Sequence, residues 1–160
     1  MLRITGIAIL FACVLYTGLE LSASLKRSIS LLRAIHAFLR HAQTQIEFRG
    51  ASYSEIYAAF PDSKAYPPTF VPALRNGGLN AFLSAKDTVK RLPEDAYSAL
   101  SAFADAAGKS GREGQLAEIK LCANAVSDAL NRLSEDFPKK SKLYVSLSIT
   151  AALMLSILLI

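Results

Sequence analysis

Two histidines are the first candidates for chemistry in this sequence, because imidazole binds metal ions and moves protons near neutral pH. His36 and His41 are five residues apart within one predicted helix. Zinc ligands on one helical face are usually three or four residues apart and need a third ligand, and the sequence offers none. We therefore expect no metal ion. The two cysteines, Cys13 and Cys122, are far apart and are expected to act as small apolar residues.

The adjacent carboxylates Glu94 and Asp95 are a second candidate. They follow Pro93, and a proline followed by acids is typical of the first turn of a helix, where carboxylates interact favourably with the helix dipole. The sequence contains no glycine-rich phosphate loop of the Walker type, no Gly-x-Ser-x-Gly motif and no Cys–His pair. We therefore expect a protein that is not an enzyme and uses no cofactor. An enzyme with an unrecognised site is the remaining alternative.

Four basic residues, Lys26, Arg27, Arg33 and Arg40, form a stripe on one predicted helix. Such a stripe can contact anionic lipid, at about 1 kcal/mol per charge near a membrane surface. It can also bind an acidic partner, or be a solvated face that only sets membrane topology. The sequence leaves these three interpretations open.

The predicted helices that position these residues include an apolar segment at residues 143–160. This segment contains no charged residue, proline or glycine. As a helix it is about 27 Å long at about 1.5 Å per residue, close to the bilayer core of about 30 Å. A lysine cluster precedes it and Tyr144 lies at its start, as at the anchored end of a membrane helix. We predict a transmembrane helix, the alternative being a buried core helix.

A second apolar run at residues 4–19 predicts another transmembrane helix within residues 1–21. Arg3 is the only basic residue before this run, whereas Lys26 and Arg27 follow it closely. By the positive-inside rule, residues 22–142 are then cytoplasmic and both termini lie outside. A cleaved signal peptide is the alternative.

Residues 22–142 show helical periodicity and no useful strand pattern. The first helix continues from the first span to Gly50, and Ser52-x-x-Glu55 reads as a capping box that begins a short helix. A proline-rich stretch predicts only a short helical turn near residues 71–75, and Asn76-Gly-Gly predicts a break. Two further helices are predicted from these patterns, at residues 79–92 and from Pro93 to residue 107.

The last cytosolic helix carries a heptad pattern and is predicted to end at Pro138. Its apolar residues are Leu116, Ile119, Ala123, Val126, Leu130, Leu133 and Phe137. The fold class is therefore all-α, a helical bundle of about five or six helices between two terminal transmembrane helices.

Small residues in the last segment predict a packing face within the membrane. Ser148, Ala152 and Ser156 are spaced by four, and the first span offers Ala8 and Ala12 at the same spacing. Close approach at small residues drives much of helix association in lipid. The partner is either the first span or a neighbouring subunit.

Several motifs together resemble the stage III sporulation protein AB family over essentially the whole chain. They are Leu92-Pro-Glu-Asp, Leu100-x-x-Phe103, Gly108-Lys-Ser-Gly-Arg-Glu-Gly-Gln115, Lys142-Leu-Tyr-x-Ser-Leu147 and, in the first half, Gln45-Ile-Glu-Phe-x-Gly50. The block from Gly108 to Gln115 is the most specific. The family usually has Asp at the position of Gly111, Glu at that of Gln45 and Gly at that of Ser148.

This resemblance implies a helical domain similar to the F component of type II secretion systems. It also implies a mother-cell membrane protein around the forespore, part of a channel or secretion-like complex. The implied role is a non-enzymatic membrane platform that couples a stage III sporulation AA-type ATPase to membrane partners, with homo-oligomers allowed. The alternative function is a lipid-binding helical module that acts through its basic face. Nucleic acid is not expected as a partner for a face predicted so near the membrane.

Overall fold

The computed structural model describes residues 2–85 and 91–159, and for residues 2–11, 14, 15, 152 and 155–159 it describes the backbone only. This part of the chain contains helices and no strands, which confirms the all-α class. Five helices lie within the described residues: α1 (Leu2–Arg49), α2 (Tyr53–Ala59), α3 (Phe70–Ser84), α4 (Glu94–Ala106) and α5 (Arg112–Leu159). The N-terminal segment is the start of α1, as the sequence predicts, whereas the C-terminal segment is the end of α5 and not a separate helix.

The chain divides into two compact units. The first contains residues 1–26 and 133–160, and the second contains residues 27–132. Each unit includes part of α1 and part of α5. None of the helices, over the residues described, has a stretch long and apolar enough to cross a membrane. Parts of both predicted spans, including the side chains of residues 1–11 and 155–160, lie outside the described residues.

Local sequence signals account for the boundary between α1 and α2. Gly50 has a positive φ of 61°, which glycine adopts without steric cost, and its amide donates to the Ile46 carbonyl at 3.2 Å. Two residues later, the Ser52 amide donates to Glu55 Oε2 at 2.9 Å. The predicted glycine stop and the predicted start of α2 are both confirmed.

Aromatic side chains from three helices build the core of the second unit. Phe38 of α1 stacks on Tyr57 and meets Phe60 edge-on, with ring centroids 5.6 Å apart in each pair. Phe70 of α3 continues the cluster, with its ring 5.0 Å from that of Phe82. Edge-to-face and stacked rings at these separations add attraction to the burial of apolar surface.

The α5 seam enters this core through its central residues. Ile119, Ala123 and Val126 are buried, and Val126 has an exposed fraction of 0%. Leu116 and Leu130 on either side are half-buried. The heptad pattern therefore identifies core positions correctly in the middle of the helix.

The predicted break at Asn76-Gly-Gly is confirmed as a kink. α3 consists of two helical stretches that meet at Gly78, where φ is 67° and ψ is −167°, outside helical values. A Cβ added to Gly78 would lie 2.9 Å from Tyr57 Cε2, so glycine also permits the close approach of α2. Beyond the kink, α3 ends at Ser84, whereas the prediction extends the helix to Leu92. Residues 86–90 lie outside the described residues.

The prediction that Pro138 ends the last cytosolic helix is wrong, since α5 runs through it. Proline lacks an amide hydrogen, so the Ser134 carbonyl loses its usual donor four residues on. Packing nevertheless continues on both sides of the proline. Leu133 and Ser141 are both partly buried in the first unit, and the Ser141 hydroxyl is 2.7 Å from that of Ser22. These contacts oppose the loss of one backbone hydrogen bond.

Candidate interaction surfaces

The predicted basic stripe lies on the exposed surface of α1. Lys26 belongs to the first unit, and Arg27, Arg33 and Arg40 belong to the second, and all four side chains are exposed. The sequence from residue 21 to residue 46 contains no aspartate or glutamate, so every charged residue in this stretch of α1 is basic. Within the second unit, this length of α1 therefore presents one sign of charge.

The two histidines lie in different surroundings. Partial burial, and then the neighbouring guanidinium of Arg40, lower the pKa of His36 below its usual value of 6.5. His41 instead meets the edge of the Phe60 ring at a centroid distance of 5.6 Å, and its buried Nε2 has no partner in the described part of the chain. Among the described residues, no three His, Cys, Asp or Glu side chains are arranged to hold a metal ion.

The carboxylates of Glu94 and Asp95 lie in the first turn of α4, where the sequence places them. Asp95 Oδ1 accepts a hydrogen bond from the Ala96 amide at 2.9 Å. The same carboxylate forms an ion pair with Arg132 of α5. Both carboxylate oxygens of Asp95 are therefore engaged in structural contacts.

The block from Gly108 to Gln115 forms the connection from α4 to α5 and is tied down by its own side chains. Arg112 donates to the Glu47 carbonyl near the end of α1. Gln115 Nε2 donates to the Ser110 carbonyl at 2.9 Å, and Ser110 Oγ donates to Glu118 Oε1 at 3.2 Å. These bonds fix the loop against α1, which gives the block a structural role.

Tyr53 packs behind this loop with an unsatisfied hydroxyl. Its ring meets Phe103 edge-on at 6.1 Å, and its buried oxygen has no hydrogen-bond partner among the described residues. Burial, with smaller contributions from Tyr57 and Glu118, raises the pKa of Tyr53 to about 12. The hydroxyl therefore stays protonated at physiological pH, and its burial is a cost to folding.

Replacing Tyr53 with Phe is expected to leave the free energy of unfolding unchanged or to raise it by up to about 1 kcal/mol, because it removes a buried polar atom without a partner. Tyr57 is the comparison, because its interaction with the Leu79 backbone lowers the pKa of its hydroxyl against the effect of burial. Tyr57→Phe should cost about 0.5–1.5 kcal/mol by removing that interaction. Thermal unfolding of both variants measures the difference, and equal losses would contradict the assignment.

In the first unit, Ser148 lies directly against Gly18 of α1. A Cβ added to Gly18 would lie 2.8 Å from Ser148 Cβ and 3.3 Å from the Tyr144 carbonyl. Ser148 Oγ donates to that same carbonyl at 2.8 Å, so its polar group is satisfied within α5. Two helices of this unit therefore approach closely at a pair of small residues.

The other residues of the predicted packing face are less informative. The side chains of Ala152 and Ser156 lie outside the described residues, as does that of Ala8, and Ala12 is exposed. The close contact involves Gly18, which the sequence argument did not select as a packing residue. A glycine within an apolar helix was the available signal, because glycine allows backbones to approach closely.

One exposed aromatic on α1 was also missed. Phe48 is 78% exposed, in the last turn of the helix. Phe48 follows Thr44 by four residues and Arg40 by eight. Helical spacing therefore places it on the same side of α1 as the basic stripe. It adds an apolar group to a charged surface.

Comparison with protein families shows what the chain is similar to. The family model described as stage III sporulation protein AB matches residues 74–160, more than half of the chain. The match includes the loop from Gly108 to Gln115 and most of α3. Comparison with curated proteins and with solved structures found no match.

Proposed function

The chain belongs to the stage III sporulation protein AB family, which indicates a sporulation-related role, and we propose that it is a membrane-anchored, non-enzymatic platform. In this proposal the protein lies in the mother-cell membrane around the forespore. It couples a cytosolic stage III sporulation AA-type ATPase to the membrane proteins of a channel or secretion-like complex. The observation that carries the proposal is the family match. It is supported by the second unit, which is helical and in which the histidines and the Glu94–Asp95 pair lie among packing and helix-end contacts.

The proposed anchor is the first unit, with spans at residues 1–21 and 143–160. Apolar side chains are exposed on both of its helices, among them Tyr16, Leu19, Leu21, Leu143, Leu147, Ile149, Leu153 and Met154. Exposed apolar surface on this scale is costly in water and favourable in lipid. The Ser22 and Ser141 hydroxyls lie 2.7 Å apart between the two helices of this unit.

The proposed topology places residues 22–142 in the cytoplasm and both termini outside. Asn76 is exposed on α3, so a cysteine there is open to a reagent that reaches its compartment. In a chain with Cys13→Ala and Cys122→Ala, expressed outside sporulation, we expect Asn76→Cys to resist an impermeant thiol reagent in intact cells. Permeabilisation should then allow labelling.

Leu2→Cys in the same background is the matched control, because that position lies on the proposed outer side. It should label in intact cells. Ready labelling of Asn76→Cys in intact cells would overturn the topology and, with it, the proposed contact with a cytosolic ATPase.

The coupling role is tested by co-purification. A tagged full-length chain, extracted in mild detergent from sporulating cells, is expected to retain the AA-type ATPase. A chain carrying an unrelated cytosolic domain between the same two spans is the control and should retain none. Equal recovery of the ATPase with both chains, or recovery with neither, would count against the platform role.

A second candidate function is a lipid-binding module that acts through Lys26, Arg27, Arg33 and Arg40. The exposure of all four side chains favours it. Binding through such charges should fall steeply as ionic strength rises from about 0.05 to about 0.5 M, since the Debye length shortens. Binding to vesicles with and without anionic lipid separates this candidate from the platform role.

A further inference from the structure

The exposed side of α1 in the second unit carries charge and an aromatic group together. We define the arginine face as Arg33, Arg40, Thr44 and Phe48. At about 100° per residue these four lie within about 80° of one another around the helix, so they face the same way. Arg33 and Arg40 are about 10 Å apart along the axis at about 1.5 Å per residue.

The two guanidinium groups of this face have no ion pair in the described part of the chain. The acids nearest in sequence are Glu20 and Glu47. Glu47 lies on the same side of α1, about 10 Å along the axis beyond Arg40, and is the one acid of α1 within the length of this face. His36, which lies between the two arginines on α1, senses the positive field of Arg40, which contributes to its lowered pKa. An acid supplied from outside the chain would complement this surface.

We propose that the arginine face docks an acidic segment of a partner protein, with Phe48 seated in an apolar recess of that partner. The proposal rests on the proposed function, because it identifies the side of the platform that receives its cytosolic partner. Arginine and aromatic residues are enriched at protein interfaces and among the residues that dominate binding energy. Phe48 at 78% exposed is available for such a contact.

Geometry favours a protein over a bilayer as the occupant. Arg27 is the arginine next to the proposed span at residues 1–21, and Arg40 lies about 20 Å from it along the axis of α1. That separation is about twice the Debye length at about 0.1 M salt, so the membrane attracts Arg40 weakly. Lys26 and Arg27 are the residues placed to meet lipid, whereas Arg33, Arg40 and Phe48 are available to a protein.

Site-specific photo-crosslinking tests the proposal in the full-length chain in sporulating cells. A benzophenone amino acid replaces Thr44, at the centre of the arginine face, and in a control chain it replaces the exposed Asn124 of α5. We expect a product from position 44 whose crosslinked peptide, mapped by mass spectrometry, is an acidic segment. Position 124 should not yield that product.

Charge reversal shows whether the arginines carry the contact. Arg33→Glu with Arg40→Glu should lower the yield from position 44 by about tenfold or more, since the like charges then repel. Lys109→Glu with Lys120→Glu changes the net charge equally at exposed positions elsewhere and should leave the yield within about twofold. Replacing the acids of the mapped segment with lysine should restore crosslinking to the Arg33→Glu, Arg40→Glu chain.

The outcomes separate this inference from the platform role. If the mapped acidic segment belongs to a protein other than the AA-type ATPase, the result supports docking at the arginine face. It also shows that the ATPase is not the partner bound there. A lipid adduct, a yield insensitive to Arg33→Glu and Arg40→Glu, or no product from position 44 overturns the inference. Normal co-purification of the ATPase with that double variant would leave the platform role standing while the arginine face fails.

Discussion

Val126→Asp is expected to lower the free energy of unfolding by about 3–5 kcal/mol, enough to unfold a domain of ordinary stability. Val126 is fully buried in the middle of the α5 seam. A carboxylate there either loses its hydration without a partner or takes up a proton, and both cost free energy. Thermal unfolding of the detergent-solubilised full chain, followed by circular dichroism, measures the loss.

The matched control is Leu121→Asp, which also replaces an apolar side chain of α5 with a carboxylate, at a position that is 75% exposed. It should cost less than about 1 kcal/mol, mainly through the lower helix propensity of aspartate. If the two variants melt at the same temperature, the seam is not core. The heptad would then mark a surface between subunits.

Gly18→Leu is expected to separate the paired helices of the first unit and to abolish assembly with membrane partners while leaving protein level normal. Even a Cβ at this position would lie 2.8 Å from that of Ser148, and the rest of a leucine side chain extends beyond it. Close backbone contact contributes much of the attraction between helices in lipid, so its loss is not compensated by hydrophobic burial.

Oxidative crosslinking reports this separation directly. Ser22→Cys and Ser141→Cys, in a chain with Cys13→Ala and Cys122→Ala, replace two hydroxyls that are 2.7 Å apart. A disulfide should form readily in this chain and fall at least about tenfold when Gly18→Leu is added, because disulfide geometry tolerates little displacement. Leu19→Phe adds bulk at the neighbouring exposed position and should leave the yield unchanged. An undiminished yield with Gly18→Leu would show that the contact does not hold the pair.

Features set by local chemistry could be predicted from the sequence. Gly50 stops α1 because its φ is positive, and Glu55 begins α2 because its carboxylate reaches the Ser52 amide. The periodicity that identifies Val126 as core is equally local. Each of these signals acts within a few residues, so no knowledge of the tertiary fold is needed.

Features set by packing between helices could not be predicted in the same way. Pro138 stops a helix only if the lost hydrogen bond outweighs the contacts on both sides, and those contacts depend on Ser22 of a distant helix. The sequence predicts a break at Asn76-Gly-Gly, but it does not show that Gly78 lies close to the Tyr57 ring. The close approach at Gly18 likewise depends on which residue of α5 lies opposite.

The candidate surfaces show the same difference between local signals and packing between helices. The basic stripe was predictable because arginines and lysines in a stretch that contains no acids are visible in the sequence. The exposure of Phe48 was not, because an aromatic at a helix end is buried or exposed according to what packs over it. Helical spacing places Phe48 on the same side of α1 as Arg40, and the structure shows that it is exposed there.

The central claim, that this protein holds a cytosolic ATPase at a membrane, is tested most directly by vesicle flotation. The full-length chain is reconstituted in vesicles of neutral lipid, so that anionic lipid cannot recruit the ATPase, and purified AA-type ATPase is added outside. We expect the ATPase to float with these vesicles and to remain at the bottom of the gradient with empty ones. ATPase that stays at the bottom in both samples, although the second unit is shown by protease digestion to face outward, would contradict the account.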